Sequence, residues 1–291
     1  MNSKYRFLLS NTGLFFISTF SSKFLVFLLM PIYTSVLSPD QFNTVDLMTQ
    51  TANLLIPLVS LGVPNSIIRF GLDKNYSRRG VFTVAALTYT MGFLCLLAFY
   101  PLIVKITYIN QYVRYLYLYL LCSCARTLVQ QFVRARTLTR LYAVDGILAT
   151  VNTLFFVYLY LIKFNMGAMG YILATITADF ISFLFLSIVS GSWRFFSLRK
   201  ATPQLSKEML SYCLPLIPTS IFWWITNVSD HYLVTAIVGA AAGGIYAISY
   251  KIPSIVNLVS TVFTEAWQIS SVKEGQTEHP EEFFTSVFKA Y

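Results

Sequence analysis

The sequence predicts an all-α, polytopic bundle of membrane-spanning helices, and three observations predict it. Of 291 residues, 56% are hydrophobic and only 11% are charged, where a soluble domain carries roughly 25% charged residues. The apolar residues gather into runs of about the 20 residues that a helix needs to cross a bilayer. Lys and Arg fall unevenly in the loops between those runs. A soluble globule of this size has too little interior for so much apolar surface, and a disordered chain has the opposite composition.

The runs place eight spans at about 12–37, 45–68, 81–104, 112–133, 141–162, 167–190, 211–238 and 245–269. The first is too long for a signal-peptide core and no small-residue cleavage site follows it, so it stays as an anchor. Pro31, Pro57, Pro64, Pro215, Pro218 and Pro253 interrupt the spans, which a membrane helix tolerates where neighbours satisfy the freed carbonyl. Fifteen Lys and Arg lie at the N-terminus, in alternate loops and in the tail, against three (Lys105, Arg114 and Lys163) on the opposite side. That asymmetry puts the N-terminus in the cytoplasm. Trp193 and the tyrosines of 108–119 suit the interfacial aromatic belt. The tail reads as an interfacial amphipathic helix around Phe283 to Phe288, and the chain as the first part of a longer protein.

A net charge of +9 raises the possibility of a nucleic-acid partner. It is excluded here because the basic residues are loop residues of a membrane topology and form no basic domain. Cys95, Cys122, Cys124 and Cys213 sit in apolar runs with no histidine near the Cys122-x-Cys124 pair, so they read as small buried hydrophobes, not metal ligands. No P-loop, G-x-G-x-x-G, HExxH or GxSxG occurs. With only His231 and His279 there is little material for histidine catalysis. No cofactor, no metal and no enzymatic activity are expected.

Function then has to come from polar groups at membrane depth, where each charge is costly. Lys23 shares a helical face with Thr12, Thr19 and Thr34. Asp46, Thr49, Gln50, Asn53 and Ser60 form a stripe on the second span. Arg126 lies on a face with Tyr112, Tyr115, Tyr119, Cys122 and Gln130. Asp179 lies in the sixth span, Asn227, Asp230 and His231 in the seventh, and Lys251, Ser254, Asn257, Thr261 and Glu265 in the eighth. Several facing stripes suggest a hydrated cavity. Lys23, Arg126 and Lys251 would make it cationic and suited to a phosphate or an acidic sugar, with tyrosines such as Tyr119 for sugar rings. Pairing of Lys251 with Asp230 or another acid is the structural alternative, and His231 beside Asp230 also permits a proton relay.

Residues 36–42 and 237–243 look alike at an offset of 201. Six spans separate them, and an even number preserves orientation, so the pattern is a parallel repeat of six-helix lobes. Three stretches carry a family resemblance: Ser22 to Pro39; Tyr212 to Pro218 followed by Ser229-Asp230-His231-Tyr232-Leu233; and Gly244 to Pro253 followed by Ala266-Trp267. In order and spacing they resemble bacterial polysaccharide flippases, the O-antigen and capsule repeat-unit exporters of the multidrug/oligosaccharidyl-lipid/polysaccharide exporter superfamily.

The resemblance implies two six-helix lobes around a cavity and alternating access. The substrate it implies is an undecaprenyl-pyrophosphate-linked oligosaccharide, moved across the bacterial cytoplasmic membrane. Partners would be the lipid-linked oligosaccharide, the bilayer, and a polysaccharide polymerase or other export machinery. Carried over, Lys23, Arg126 and Lys251 contact the anion and Asp230 sits beside the cavity mouth. His231 stands where many relatives have a basic residue. The expected organisation is a six-helix lobe at 1–195, a cytoplasmic linker at 196–210, and the first two helices of a second lobe at 211–291. Two other readings compete. One is a cation-coupled drug or metabolite antiporter using Asp46, Asp179 and Asp230. The other is a non-transporting scaffold or remnant.

Overall fold

The computed structural model describes residues 29–105, 110–251, 263–264, 267–268, 270–272 and 280–290. They are helical, with no strand among them. In chain order we number α1 (29–36), α2 (Pro39–Ser60), α3 (Val63–Leu72), α4 (Arg78–Ala98), α5 (Tyr100–Ile103), α6 (Val113–Ala135), α7 (Thr139–Val157), α8 (Gly167–Ser190), α9 (Pro203–Cys213), α10 (Leu216–Ile237), α11 (Ala240–Lys251) and α12 (Pro280–Ala290).

The sixth expected span coincides with α8. The second begins earlier, at Pro39, because Ser38 starts it with a capping box to Gln41 and proline occupies the first helical turn. It is also broken. Leu61 and Gly62 both take left-handed conformations, and α3 leaves α2 at 51°. The fifth ends in a π-helical turn, Tyr158–Lys163. The seventh is preceded by α9, so residues 203–210 of the expected linker are helical, started by a Thr202 cap and Pro203.

Four helices among the described residues are long and apolar enough to cross a membrane, or five if the bent α2–α3 pair counts as one. The first and eighth expected spans fall partly outside the described residues. α6 is long enough, but Arg114, Arg126 and Arg134 lower its apolarity. It is tolerated because it sits inside the bundle, packed against α2, α3, α4, α7 and α8. Arg134, expected in a loop, is buried at 3% exposure near the end of α6. It stacks on Tyr142 and donates to Gln131 and to Gln268.

In lipid, burying an apolar side chain removes no water, so helices associate through close packing. Phe132, Leu116, Leu120, Ile67 and Val81 fill the centre of the main core, and small residues bring backbones together. A side chain at Gly92 would collide with the Val59 carbonyl of α2, and one at Gly244 with the Pro39 carbonyl. Gly62 has φ +70°, and an added Cβ would stand 3.1 Å from the Cys213 carbonyl oxygen. We expect Gly62→Ala to lower stability by about 1–2 kcal/mol from backbone strain alone, with the Cys213 contact adding to it. Gly191→Ala, at φ +62° with only the Arg194 Cδ within 4 Å, isolates the strain. Equal drops in melting temperature for the two would show that the Cys213 contact contributes nothing.

Candidate functional site

Two polar centres lie inside the helix bundle. The first joins α2 to α10 and α11 near the N-terminal end of α2. Lys251 Nζ lies 2.8 Å from Asp46 Oδ1, and His231 Nδ1 lies 3.2 Å from Asp46 Oδ2. The other ring nitrogen, His231 Nε2, is 2.9 Å from Asn43 Oδ1, which also accepts from the Thr235 hydroxyl at 3.0 Å. Asp46 and His231 are buried, while the Lys251 side chain remains 30% exposed. The backbone is close here too: Gly243 lies under Asn43 and Thr235. Further along α2, the Tyr232 hydroxyl contacts Thr51 and the Leu47 carbonyl, and the Trp224 indole donates to the Gln50 carbonyl at 2.8 Å.

The second centre joins α6, α7 and α8. Arg126 Nη1 is 2.6 Å from Asp179 Oδ1, and Nη2 is 3.5 Å from Asp145 Oδ2. Asp145 is fully buried. It also accepts from Gln130 at 3.4 Å and from the Ser182 hydroxyl. Arg126 Nε is buried with no partner among the described residues. With both acids ionised the centre carries one negative charge more than positive. Tyr171 on α8 stands beside the first centre. It is close enough to Asp46 and Lys251 to feel both charges, and Tyr119 stands within similar range of Asp179, Arg126 and Tyr171.

The expected site residues therefore divide. Lys251 and Asp46 are paired with each other, and Arg126 is paired with two acids. Tyr119 is half-buried beside the second centre. Asp230 stays outside the first centre: it is exposed, accepts from the His231 backbone N–H at 2.9 Å and from the Tyr246 hydroxyl. Lys251 pairs with Asp46 and not with Asp230. The histidine ring likewise turns to Asp46, away from its neighbour Asp230. Lys23 lies outside the described residues, as do Ser254, Asn257, Thr261 and Glu265 of the eighth-span stripe.

Four members were not anticipated: Asp145, Asn43 and the hydroxyls of Thr235 and Ser182. Asp145 is a charge inside an apolar run, and the cost of charge at membrane depth marks it as plainly as Arg126. Asn43 precedes the expected start of the second span, so that boundary hid it. Among the described residues no group of three or more His, Cys, Asp or Glu side chains is arranged to hold a metal ion.

The sequence profile of the polysaccharide biosynthesis protein family matches residues 8–267. A comparison with curated proteins found no match. Among solved structures, the fold is similar to that of a multidrug resistance MATE family transporter of the MOP superfamily in an outward-facing conformation. That superposition has a TM-score of 0.73 at 15% identity over 94% of this chain and 65% of that one. A MATE in complex with MaD3S gives 0.69 at 17% identity, covering 94% and 66%. A MOP superfamily transporter from Pyrococcus furiosus, described by the reverse polarity of its binding pocket, gives 0.68 at 15%, covering 94% and 65%. The chain spans just under two thirds of the length of the first of these structures.

Proposed function

We propose a function from one premise: the chain belongs to the polysaccharide biosynthesis protein family. On that premise it is a membrane transporter component that moves lipid-linked oligosaccharide repeat units across the bacterial cytoplasmic membrane. What supports the reading, beyond family membership, is the first polar centre. Residues far apart in sequence, Asp46 on α2 and His231 and Lys251 on α10 and α11, meet inside the helix bundle, and ionisable groups within a membrane protein's bundle are costly and mark functional sites by default. The proposed division is a first lobe at 1–195, a linker at 196–210 and the start of a second lobe from 211. Lys251 is the proposed contact for the diphosphate or an acidic sugar, because its side chain is the least buried of the three ion-paired groups of its centre.

The test is transport of a fluorescent lipid-linked oligosaccharide in everted membrane vesicles. Lys251→Met is expected to lower the initial rate at least tenfold, the size of one lost charge-assisted contact, and Lys251→Arg to retain much of it. Wild-type rates from both variants would remove Lys251 from the substrate path.

A second reading is a cation-coupled antiporter. The observation that favours it is the charge count of the second centre, where Asp145 and Asp179 outnumber Arg126 and an extra cation would restore neutrality. Transport that responds to an imposed Na⁺ or H⁺ gradient, and loses that response in Asp179→Asn, would select it.

A further inference from the structure

At the opposite end of α2–α3 from Asp46, α3, the loop after it and α9 line an open pocket of about 440 Å³. Two cations and one carboxylate line it: Arg69, Lys207 and Glu208. The carboxylate is already satisfied by neutral donors. Gln204 Nε2 donates to Glu208 Oε1 at 2.6 Å. The Tyr76 hydroxyl also hydrogen-bonds Glu208, which holds that phenol above its ordinary value.

The cations, by contrast, have no carboxylate within ion-pair distance among the described residues. Arg69 lies over the Tyr212 ring, 4.5 Å from its centroid. A guanidinium stacked in this way keeps its N–H donors in its own plane, open to an oxyanion. Asp73, the acid of the adjoining loop, accepts the Asn75 backbone N–H at 2.9 Å. Lys74, Arg78 and Arg79 follow directly in the chain and raise the local positive potential. Loop basicity required only by topology would not need a pocket in which two cations outnumber one carboxylate and an arginine stacks on an aromatic ring.

We propose that this pocket binds a phosphate headgroup, either a phosphate ester or a diphosphate, with Arg69 as the planar fork and Lys207 as the second cation. The proposal does not depend on the transport reading, because none of its residues belongs to either polar centre.

The experiment is equilibrium binding to the purified full chain in detergent, with inorganic pyrophosphate, farnesyl diphosphate and short-chain phosphatidylglycerol as separate probes. At least one is expected to bind. The Arg69→Gln, Lys207→Gln double variant should weaken that binding about tenfold or more, Arg69→Lys should weaken it less, and Glu208→Gln should strengthen it. Equal binding of pyrophosphate and the amphiphiles identifies the free anion as sufficient; binding of the amphiphiles alone identifies a lipid headgroup. Absence of binding by all three probes, or binding that the folded double variant retains, overturns the proposal. A double variant that elutes aggregated is replaced by Arg69→Lys with Lys207→Gln, read the same way.

Discussion

Asp46→Ala is expected to be the most damaging single substitution in the chain, lowering stability by about 3–5 kcal/mol. The carboxylate is buried and answers groups on two other helices, the Lys251 ammonium at 2.8 Å and the His231 ring at 3.2 Å. Its removal strands the Lys251 ammonium, and an uncompensated buried charge costs more than the lost attraction. Asp46→Asn keeps the shape and an acceptor oxygen, so its loss should be intermediate. Replacing both sides, as Asp46→Leu with Lys251→Met, should recover a good part of the loss, since it removes the stranded charge. Thermal unfolding in detergent measures all three. If the double replacement is no better than Asp46→Ala, the damage comes from packing and the ion pair is incidental.

Arg126→Gln is expected to cost a similar amount, about 3–5 kcal/mol, for the opposite reason: it strands two acids. Asp145 is fully buried and would be left with only Gln130 and Ser182 as donors. Adding Asp145→Asn and Asp179→Asn to Arg126→Gln should restore most of the stability. Asp179→Asn alone should be mild, because Arg126 still answers Asp145. A severe Asp179→Asn combined with a harmless Arg126→Gln would invert the assignment of which charge compensates which.

These two substitutions also mark how far the sequence could be read. Helices were legible because composition and run length respond directly to the bilayer, and α8 coincides with its expected span. The break after Ser60 was not. It depends on Leu61 adopting a left-handed conformation that nothing in its side chain announces, although the neighbouring Gly62 permits it. Polar residues at depth were legible one helix at a time, because charge in an apolar run is visible along the chain. Their pairing was not, since Asp46 and Lys251 are 205 positions apart and Arg126 and Asp179 are 53 apart. A reading of stripes therefore counted Arg126 and Lys251 as cations facing a cavity, where three-dimensional packing gives each of them an acid. Asp145 shows the asymmetry most clearly: Arg126 stands out as a lone cation on its helix, while the buried acid that answers it escapes a stripe-by-stripe reading.

The seating of Cys213 against Gly62 has a mechanical consequence. α9 packs on α3 and α4, with Leu205, Met209 and Cys213 buried, so it is anchored to the preceding helices although most of it lies in the expected linker. The chain passes through a turn at Leu214 and Pro215 into α10, of which few residues are buried. Pro203–Ile237 runs as one stretch of 35 residues, long and apolar enough to cross a membrane, so α9 and α10 act as a single shaft. It is seated on α3 at one end through Cys213 and tied to α2 further along through His231 and Asp46, which couples the α2–α3 elbow mechanically to the first polar centre.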